Sequence, residues 1–340
     1  AVQRSNLIDP SSPNPSVEAL LHAFLPHKFV DHTHALALLA LADLQDAQEV
    51  CHQVYGLSVA IVPYVMPGFQ LALAAAKAYE QAEVDASVEG IEVEGMVLLK
   101  HGLFSFGNTA RQSYERMIDL VLQAEKHLAK TPSLQLPSPV MPPSAEKAAA
   151  ILLPPLRGAI ARAASAQSAS IRWLLDLRTT SLAKQFVGDK RLVEWSRRGV
   201  ATPDHVIRTK ACPLILERPP GLESFEEADL SSEGLENWIL SIDESLTNYI
   251  ASYRDYFERQ ISRIGGYKKQ LDPLPRLIAI PGLGLVGLGR SVVDAAVTAD
   301  IGEAWAATVI SAESVGRFTP VNEADTFDLE YWSLEQAKLG

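Results

Sequence analysis

The segment FVDHTHA, residues 29–35, places two histidines two positions apart at the end of a short apolar run. In an extended strand, residues i and i+2 project from the same face of the sheet. If this segment is a strand, His32 and His34 therefore point together, as two imidazoles that bind one metal ion must. The alternative is a pair of surface histidines on an edge strand, and the choice between the two depends on the rest of the chain.

The composition predicts a globular protein that binds neither nucleic acid nor membranes. Of 340 residues, 47% are hydrophobic and 21% are charged, and the formal net charge is −11. Nucleic acids and anionic membranes both require a cationic surface, which an acidic chain does not favour. The two cysteines, Cys51 and Cys212, do not form a Cys-x-x-Cys motif, and no apolar run has the length of a membrane span. We expect a cytoplasmic protein without disulfide bonds, long enough for two domains.

The order of the predicted elements indicates an α/β fold in two domains. Residues 131–143, with five prolines and no charge, are predicted to be a linker between a domain at 1–130 and a second, largely helical α/β domain at 144–340. Strands alternate with helices in the first domain, which is typical of a layered α/β architecture. The predicted strands are 27–34, 58–65, 95–101 and RLIAI at 276–280. The predicted helices are 15–25, a segment ending near Tyr55, 69–83, one beginning near Thr109, 144–169, 233–263 and about 290–310. No internal repeat is evident in the sequence.

Three further positions in the first domain carry groups suited to catalysis. His101 ends an apolar strand and meets a glycine, so it can join His32 and His34 in a three-histidine metal set with open coordination positions. Glu18 precedes His22 by four residues on a predicted helix, where it is either a general base facing a metal or a surface partner of His22. Tyr64 lies between two prolines at a strand end, where it either packs in the core or donates a proton.

Three motifs together resemble the class II aldolase/adducin family, which includes zinc-dependent sugar-phosphate aldolases. They are HTHA at 32–35, VPYVMPGF at 62–69 and LLKHGLFSFG at 98–107. The chain is similar over nearly its whole length to one subgroup, the bifunctional proteins in which a rhamnulose-phosphate-aldolase-like part precedes a short-chain dehydrogenase. FDLEYWSLEQAKL at 327–339 contributes to that similarity.

The resemblance implies a three-layer class II aldolase-like fold and a role for each candidate residue. His32, His34 and His101 match the family's metal ligands, and Zn²⁺ is the implied ion, although cobalt, manganese or iron also suit such a site. Glu18 matches the acid/base glutamate, and Tyr64 matches a tyrosine that serves a neighbouring subunit's active site. The implied assembly is therefore a homo-oligomer, a tetramer, acting on a small sugar phosphate.

The chain departs from the family at both ends. The glycine- and serine-rich phosphate loops of the family would precede the helix that carries Glu18, and this sequence has no such loops there. We therefore expect the first domain to be N-terminally incomplete. The dehydrogenase of the subgroup would begin after the last residues of this chain, and neither a TGxxxGxG motif nor a Tyr-x-x-x-Lys pair is present.

Two motifs in the second domain admit competing interpretations. Gly282, Gly284 and Gly287 have the GxGxxG order of a dinucleotide-binding loop, with acidic residues about twenty positions further on. Pro281 and the absence of a following parallel strand favour a simple glycine-rich connection between strands. TPDHVIRTK, residues 202–210, is either a polar site or a structural helix start, and we favour the structural interpretation.

Three functions follow as hypotheses. The first is a zinc-dependent aldolase-type lyase that cleaves a small sugar phosphate or related hydroxy-carbonyl compound. The second is a noncatalytic adducin-like assembly module. The third is the aldolase-like part of a short-chain dehydrogenase protein whose redox domain lies outside this chain. The complete set of histidines, with Glu18 and Tyr64, favours the first.

Overall fold

A computed structural model describes residues 2–12, 15–138, 145–166, 172–220 and 232–337. Contacts divide the chain into two compact units, residues 1–131 and 132–340. Residues 132–138 of the predicted linker form neither helix nor strand, and residues 139–143 lie outside the described part. No helix within the described ranges is long and apolar enough to cross a lipid bilayer.

The first unit is a four-stranded mixed sheet covered by helices, which confirms the predicted α/β class. The strands are β1 (Phe29–Thr33), β2 (Val59–Val62), β3 (Gly95–Leu98) and β4 (Gly102–Gly107). The helices are α1 (Val2–Ser5), α2 (Ala19–Phe24), α3 (Leu36–Ala42), α4 (Ala47–Tyr55), α5 (Phe69–Val88) and α6 (Ala110–Leu128). The sheet order is β1-β4-β3-β2, with β4 antiparallel to both neighbours and β2 parallel to β3.

Local sequence accounts for the best-defined helix of this unit, α6. The Thr109 side chain accepts a hydrogen bond from the Gln112 amide at 3.1 Å, as the predicted N-cap requires. The Gln112 side chain reaches back to accept a bond from the Asn108 amide at 2.8 Å. The helix then buries Met117 and Leu120. The core on the other side of the sheet is formed by α2 and α5 around Phe104 and Phe106, which are both fully buried.

The second unit is also a four-stranded mixed sheet covered by helices. Its strands are β5 (Leu174–Arg178), β6 (Leu214–Ile215), β7 (Leu277–Ile280) and β8 (Gly284–Gly289). Its helices are α7 (Ala145–Ala166), α8 (Ser181–Gly188), α9 (Leu192–Ser196), α10 (Val206–Thr209), α11 (Ser232–Ile264), α12 (Val292–Val315), α13 (Glu323–Glu330) and α14 (Ser333–Gln336). Its largest core joins α7 and α11 to the sheet through residues such as Leu152, Ile242 and Val286.

The second unit repeats the strand topology of the first, although no repeat was predicted from the sequence. Its order is β5-β8-β7-β6, with β8 antiparallel to both neighbours and β6 parallel to β7. In each unit a three-residue turn joins the last two strands, and its middle residue has a positive φ: 60° at Lys100 and 84° at Gly282. In each unit two residues separate the last strand from the helix that follows it, and the second of them, Thr109 or Ser291, caps that helix.

The repeat also explains the glycine-rich segment of the second unit. Gly282 lies in the turn of the β7–β8 hairpin, and Gly287 lies within β8 beneath α12. A Cβ at Gly287 would lie 2.4 Å from the Ala295 carbonyl oxygen, so glycine allows the helix to approach the strand. Asp300 is bound by Arg178 at 2.8 Å. The strand–turn–helix order of a dinucleotide-binding loop is therefore not formed here, because a second strand follows the turn.

Candidate metal centre

The pairing of β1 with β4 brings the three predicted histidines together. Thr33 at the end of β1 lies opposite Leu103, so the strand end stands beside the turn that carries His101. His32 lies on β1, and His34 is the first residue after the end of this strand. The Nε2 atoms of His32 and His34 are 3.0 Å apart. The HxH spacing therefore places two imidazoles against one point, as the sequence predicts.

Glu18 completes a compact group of four potential ligands. Its Oε1 atom lies 2.7 Å from His101 Nε2 and 3.4 Å from His32 Nε2. One ligand atom from each of Glu18, His32, His34 and His101 lies within 4.8 Å of every other. The side chains of His101 and His32 are only 5% and 14% exposed, so the group is shielded from solvent yet remains accessible.

The position of Glu18 differs from the prediction. It was expected within a helix, on the same face as His22, but α2 begins at Ala19 and Glu18 is its N-cap residue. The carboxylate therefore turns towards the histidines, while the His22 ring packs edge-on against Phe104 at 5.3 Å. The alternative in which Glu18 is a surface partner of His22 is not what the structure shows.

A backbone contact fixes the orientation of His32. Its Nδ1 atom lies 2.9 Å from the Leu103 carbonyl oxygen, which can only accept a hydrogen bond. Nδ1 therefore carries a proton, and in the neutral ring the lone pair of Nε2 faces the other ligands. The His32 ring is also stacked on Phe104 at 4.1 Å, with 15° between the planes. Contacts of this kind, outside the ligands themselves, hold metal-binding histidines in place.

The electrostatics of the group favour a cation at its centre. Burial opposes the charged form of Glu18, but hydrogen bonds and positive charge from His101 and His32 in their protonated forms outweigh it, and in the metal-free group they hold the pKa of this carboxyl well below its usual range. Two neutral imidazoles whose Nε2 lone pairs meet at 3.0 Å repel each other unless a proton or metal ion lies between them. Three imidazoles and one carboxylate are a donor set suited to a divalent transition metal.

Gly102 leaves the space that the two neighbouring histidines occupy. A Cβ built on this residue would lie 2.7 Å from His32 Cε1 and 2.8 Å from His34 Cδ2. These distances are shorter than van der Waals contact, so the imidazoles pack directly against the glycine backbone. The sequence signal for this role is the glycine that follows His101.

Tyr64 lies outside the four-residue group. It is half-buried in the loop between β2 and α5.

Strand β4, which supplies the Leu103 carbonyl and Phe104, was not predicted. In the TPDHVIRTK segment, Lys210 is buried and bonded to Glu330 at 3.0 Å.

Comparisons with known proteins give consistent matches in sequence. A family profile described as "Class II Aldolase and Adducin N-terminal domain" matches residues 2–128, and one described as "Aldolase class II, second domain" matches residues 147–339. The chain is 28% identical over 340 residues to the "Uncharacterized oxidoreductase YuxG" of Bacillus subtilis (strain 168). That match covers 98% of this chain and 45% of the relative, so this chain spans less than half the length of that protein.

One solved structure was also matched. It is the "Structure of the N-terminal Class II Aldolase domain of a conserved protein from Thermoplasma acidophilum", with 38% sequence identity and a TM-score of 0.32. The match covers 37% of this chain and 54% of that one.

Proposed function

Because this chain belongs to the class II aldolase/adducin family, we propose that it is a metal-dependent aldehyde-lyase. It would cleave a carbon–carbon bond of a small hydroxy-carbonyl compound, such as a sugar phosphate, by retro-aldol chemistry. The observation that carries the proposal is the convergence of Glu18, His32, His34 and His101 on one point. We infer that this chemistry belongs to residues 1–130, the first of the two predicted domains.

The three histidines are the proposed metal ligands, and zinc is the proposed metal. A divalent ion bound there supplies a Lewis acid that stabilises negative charge on a substrate oxygen. His32 is the ligand best prepared for this role, because its hydrogen bond to the Leu103 carbonyl and its stacking on Phe104 fix the ring.

Glu18 is the proposed acid/base. Its carboxylate is ionised at neutral pH, so it can accept a proton from a substrate hydroxyl or from the carbon next to a carbonyl. The short contact to His101 places its carboxylate beside the ligands rather than in bulk solvent. The same contact makes Glu18 a potential fourth ligand, and the experiment below separates the two roles.

Tyr64 and the homo-oligomer are proposed together. In the half-buried loop after β2 the tyrosine lies outside the four-residue group, so we propose that it serves the site of an adjacent subunit in a tetramer. Light scattering of the purified chain measures the oligomeric state, and a strict monomer would remove Tyr64 from the reaction.

Two measurements test the function. Purified chain should carry about one divalent metal, and His32→Ala should lose it. With zinc-loaded protein, deuterium exchange into dihydroxyacetone or its phosphate, followed by NMR, should fall by roughly a hundredfold in Glu18→Gln, the usual scale for a general base. Asp31→Asn is the matched control, because Asp31 is an exposed carboxylate on the same strand as His32.

The outcomes distinguish the roles. If Glu18→Gln loses the exchange activity but retains the metal, Glu18 is the acid/base. If Glu18→Gln loses the metal, Glu18 is a metal ligand. Absence of exchange by zinc-loaded wild type with either ketone would refute the lyase and favour the noncatalytic assembly module.

A second candidate function rests on the name of the B. subtilis relative, which is called an uncharacterized oxidoreductase. This chain corresponds to 45% of that protein, and it would then be the aldolase-like part of a larger redox protein. Titration of the chain with NAD or NADP tests whether this part contributes to cofactor binding: saturable binding would favour the redox function, whereas absence of binding would leave this chain with the lyase role alone.

A further inference from the structure

The second unit contains a cavity of about 320 Å³ whose wall is rich in cations. Four basic side chains line it: Arg208, Lys210, Arg276 and Arg290. They come from different parts of the unit, since Arg208 and Lys210 belong to or follow α10, Arg276 precedes β7, and Arg290 follows β8. The fold therefore brings together basic residues that are distant in sequence, on a chain whose net charge is −11.

The repeat shows that this cavity is not a counterpart of the metal centre. Counted along the paired strands, Leu177, Thr179 and Leu283 occupy the positions of His32, His34 and His101. None of these three is a metal ligand of the kind found in the first unit. The cavity lies instead beside Leu288 and Gly289, at the end of β8 remote from that turn. The second unit thus has a polar site of its own, in a different place.

The guanidinium groups around the cavity retain hydrogen-bonding capacity. Arg290 is exposed and makes no ion pair with any residue that the structure describes. Arg276 lies over the Trp173 ring at 4.5 Å and bonds Asp272 at 3.1 Å, which orients its plane without using all five N–H donors. Arg208 Nη1 lies 3.6 Å from Asp294 Oδ1, so its guanidinium group is held at the cavity wall. Planar guanidinium groups held in this way are suited to bind phosphate or carboxylate through two oxygens.

The cavity also borders a buried ion pair. Lys210 Nζ lies 3.0 Å from Glu330 Oε1 and 2.9 Å from the Tyr253 hydroxyl, and Lys210 and Glu330 are 6% and 1% exposed. Lys210 has a positive φ of 65°, which is unfavourable for a residue with a long side chain. Burying a charged pair at a strained backbone position costs stability. Such costs are concentrated at functional sites, and here they are incurred at a cavity wall.

Carboxylates give the cavity a second chemical character. Asp272, Asp294 and Glu330 line it together with the four cations. Carboxylate oxygens accept hydrogen bonds from hydroxyl groups, whereas the arginines bind oxyanions. A ligand that complements both is an anion at one end and carries hydroxyl groups at the other.

We propose that this cavity binds a small organic oxyanion that carries hydroxyl groups. Arg290, Arg276 and Arg208 contact the phosphate or carboxylate group, and Asp272 and Asp294 accept hydrogen bonds from the hydroxyls. The proposal does not depend on the lyase activity, because residues of the second unit alone build the cavity.

Calorimetric titration of the full chain tests the site with four probes. Metal is first removed with a chelator, so that no probe binds through an ion in the first unit. Glycerol 3-phosphate and glycerate should bind, inorganic phosphate should bind more weakly, and glycerol should not bind. The relative affinity of the first two probes distinguishes a phosphate site from a carboxylate site.

Arg290→Gln is the diagnostic variant, because the side chain is exposed and its loss breaks no ion pair with a described residue. It should weaken binding roughly fivefold or more, as expected for a lost charge-assisted hydrogen bond. Arg317→Gln is the matched control, since Arg317 is an exposed arginine of the same unit that does not line the cavity, and it should bind as wild type does.

Two results would overturn the proposal. One is absence of binding of both anionic probes to wild type at low millimolar concentration. The other is unchanged affinity in both Arg290→Gln and Arg208→Gln, which would place the anion elsewhere. Thermal unfolding of each variant without ligand checks that the variants are folded, so that their affinities can be compared with that of wild type.

Discussion

Gly102→Ala should separate metal binding from the stability of the sheet. The backbone of Gly102 is not in the left-handed region, so alanine is compatible with its conformation. The added Cβ would lie 2.7 Å from His32 Cε1, and ordinary contact begins at 3.4 Å. The His32 ring must therefore move by about 0.7 Å, and His34 by a similar amount. Ligand distances in metal sites are held to within about 0.2 Å, so this movement is large.

The expected result is a loss of metal affinity of roughly 10- to 100-fold, the range seen when the support of a ligand is disturbed. Overpacking of the strand should also lower the free energy of unfolding by about 1–3 kcal/mol. Metal affinity is measured by competition with a coloured chelator, and stability by urea unfolding of the metal-free chain.

Gly107→Ala is the control for the loss of stability that overpacking of the strand causes. Gly107 ends the same strand, and a Cβ there would lie 2.5 Å from the Ser113 amide nitrogen, far from the imidazoles. It should lower stability to a similar extent and leave the metal affinity unchanged. If Gly102→Ala binds metal as tightly as Gly107→Ala does, the argument that the glycine holds the histidines in register is refuted.

Two further predictions concern buried ionisable groups. Asp43 is fully buried, neither of its carboxylate oxygens has a hydrogen-bond partner within the described residues, and burial raises its pKa well above the usual value despite the opposing charge of Lys100. Its folded pKa exceeds its unfolded pKa, so its contribution to the free energy of unfolding falls by up to about 1.4 kcal/mol per pH unit above the unfolded pKa. Asp43→Asn should remove this pH dependence. If urea unfolding between about pH 5 and pH 8 shows the same pH dependence of stability in wild type and variant, the prediction is contradicted. Burial and the charge of Glu323 raise the pKa of the Cys212 thiol to about 11, and burial raises that of Cys51 to about 12. Native Cys212 should therefore react with iodoacetamide about a hundredfold more slowly than a free thiol, and Cys51 more slowly still, whereas a rapid reaction in the folded chain would show that burial does not suppress either thiolate.

Elements with strong periodicity could be predicted from the sequence. The helix predicted at 233–263 is observed at Ser232–Ile264, and the helix predicted to begin near Thr109 is capped by that residue. The convergence of His32 on β1 and His34 directly after it was predictable because extended backbone has a period of two, which depends on local geometry alone.

The strands β4 and β8 were harder to predict for a physical reason. Both are buried along their whole length and both begin and end with glycine. A strand covered on both faces does not alternate between apolar and polar residues, and glycine is rare in strands. The repeat was not predicted because it resides in the backbone pairing of the strands, while the side chains at corresponding positions of the two units differ.

Glu18 shows a different limit of sequence-based prediction. Its spacing from His22 is correct for one helix face, but the helix predicted at 15–25 begins only at Ala19, one residue after Glu18. The ends of helices are among the least certain features of a sequence-based assignment. At this position that uncertainty decides whether the carboxylate points along a helix surface or towards His101.

The strand order also determines when each sheet is completed during synthesis. β1 lies beside β4, and the contact between His32 and Leu103 spans 71 residues of chain. At about 5–20 residues per second, roughly 4–14 s separate the synthesis of these two partners. Until β4 leaves the ribosome, the strand that carries His32 has no partner in its sheet, because β4 is its neighbour. Pairing of strands so far apart in sequence is also slow. The histidines near the start of the chain therefore acquire their support at the same time as His101 joins them.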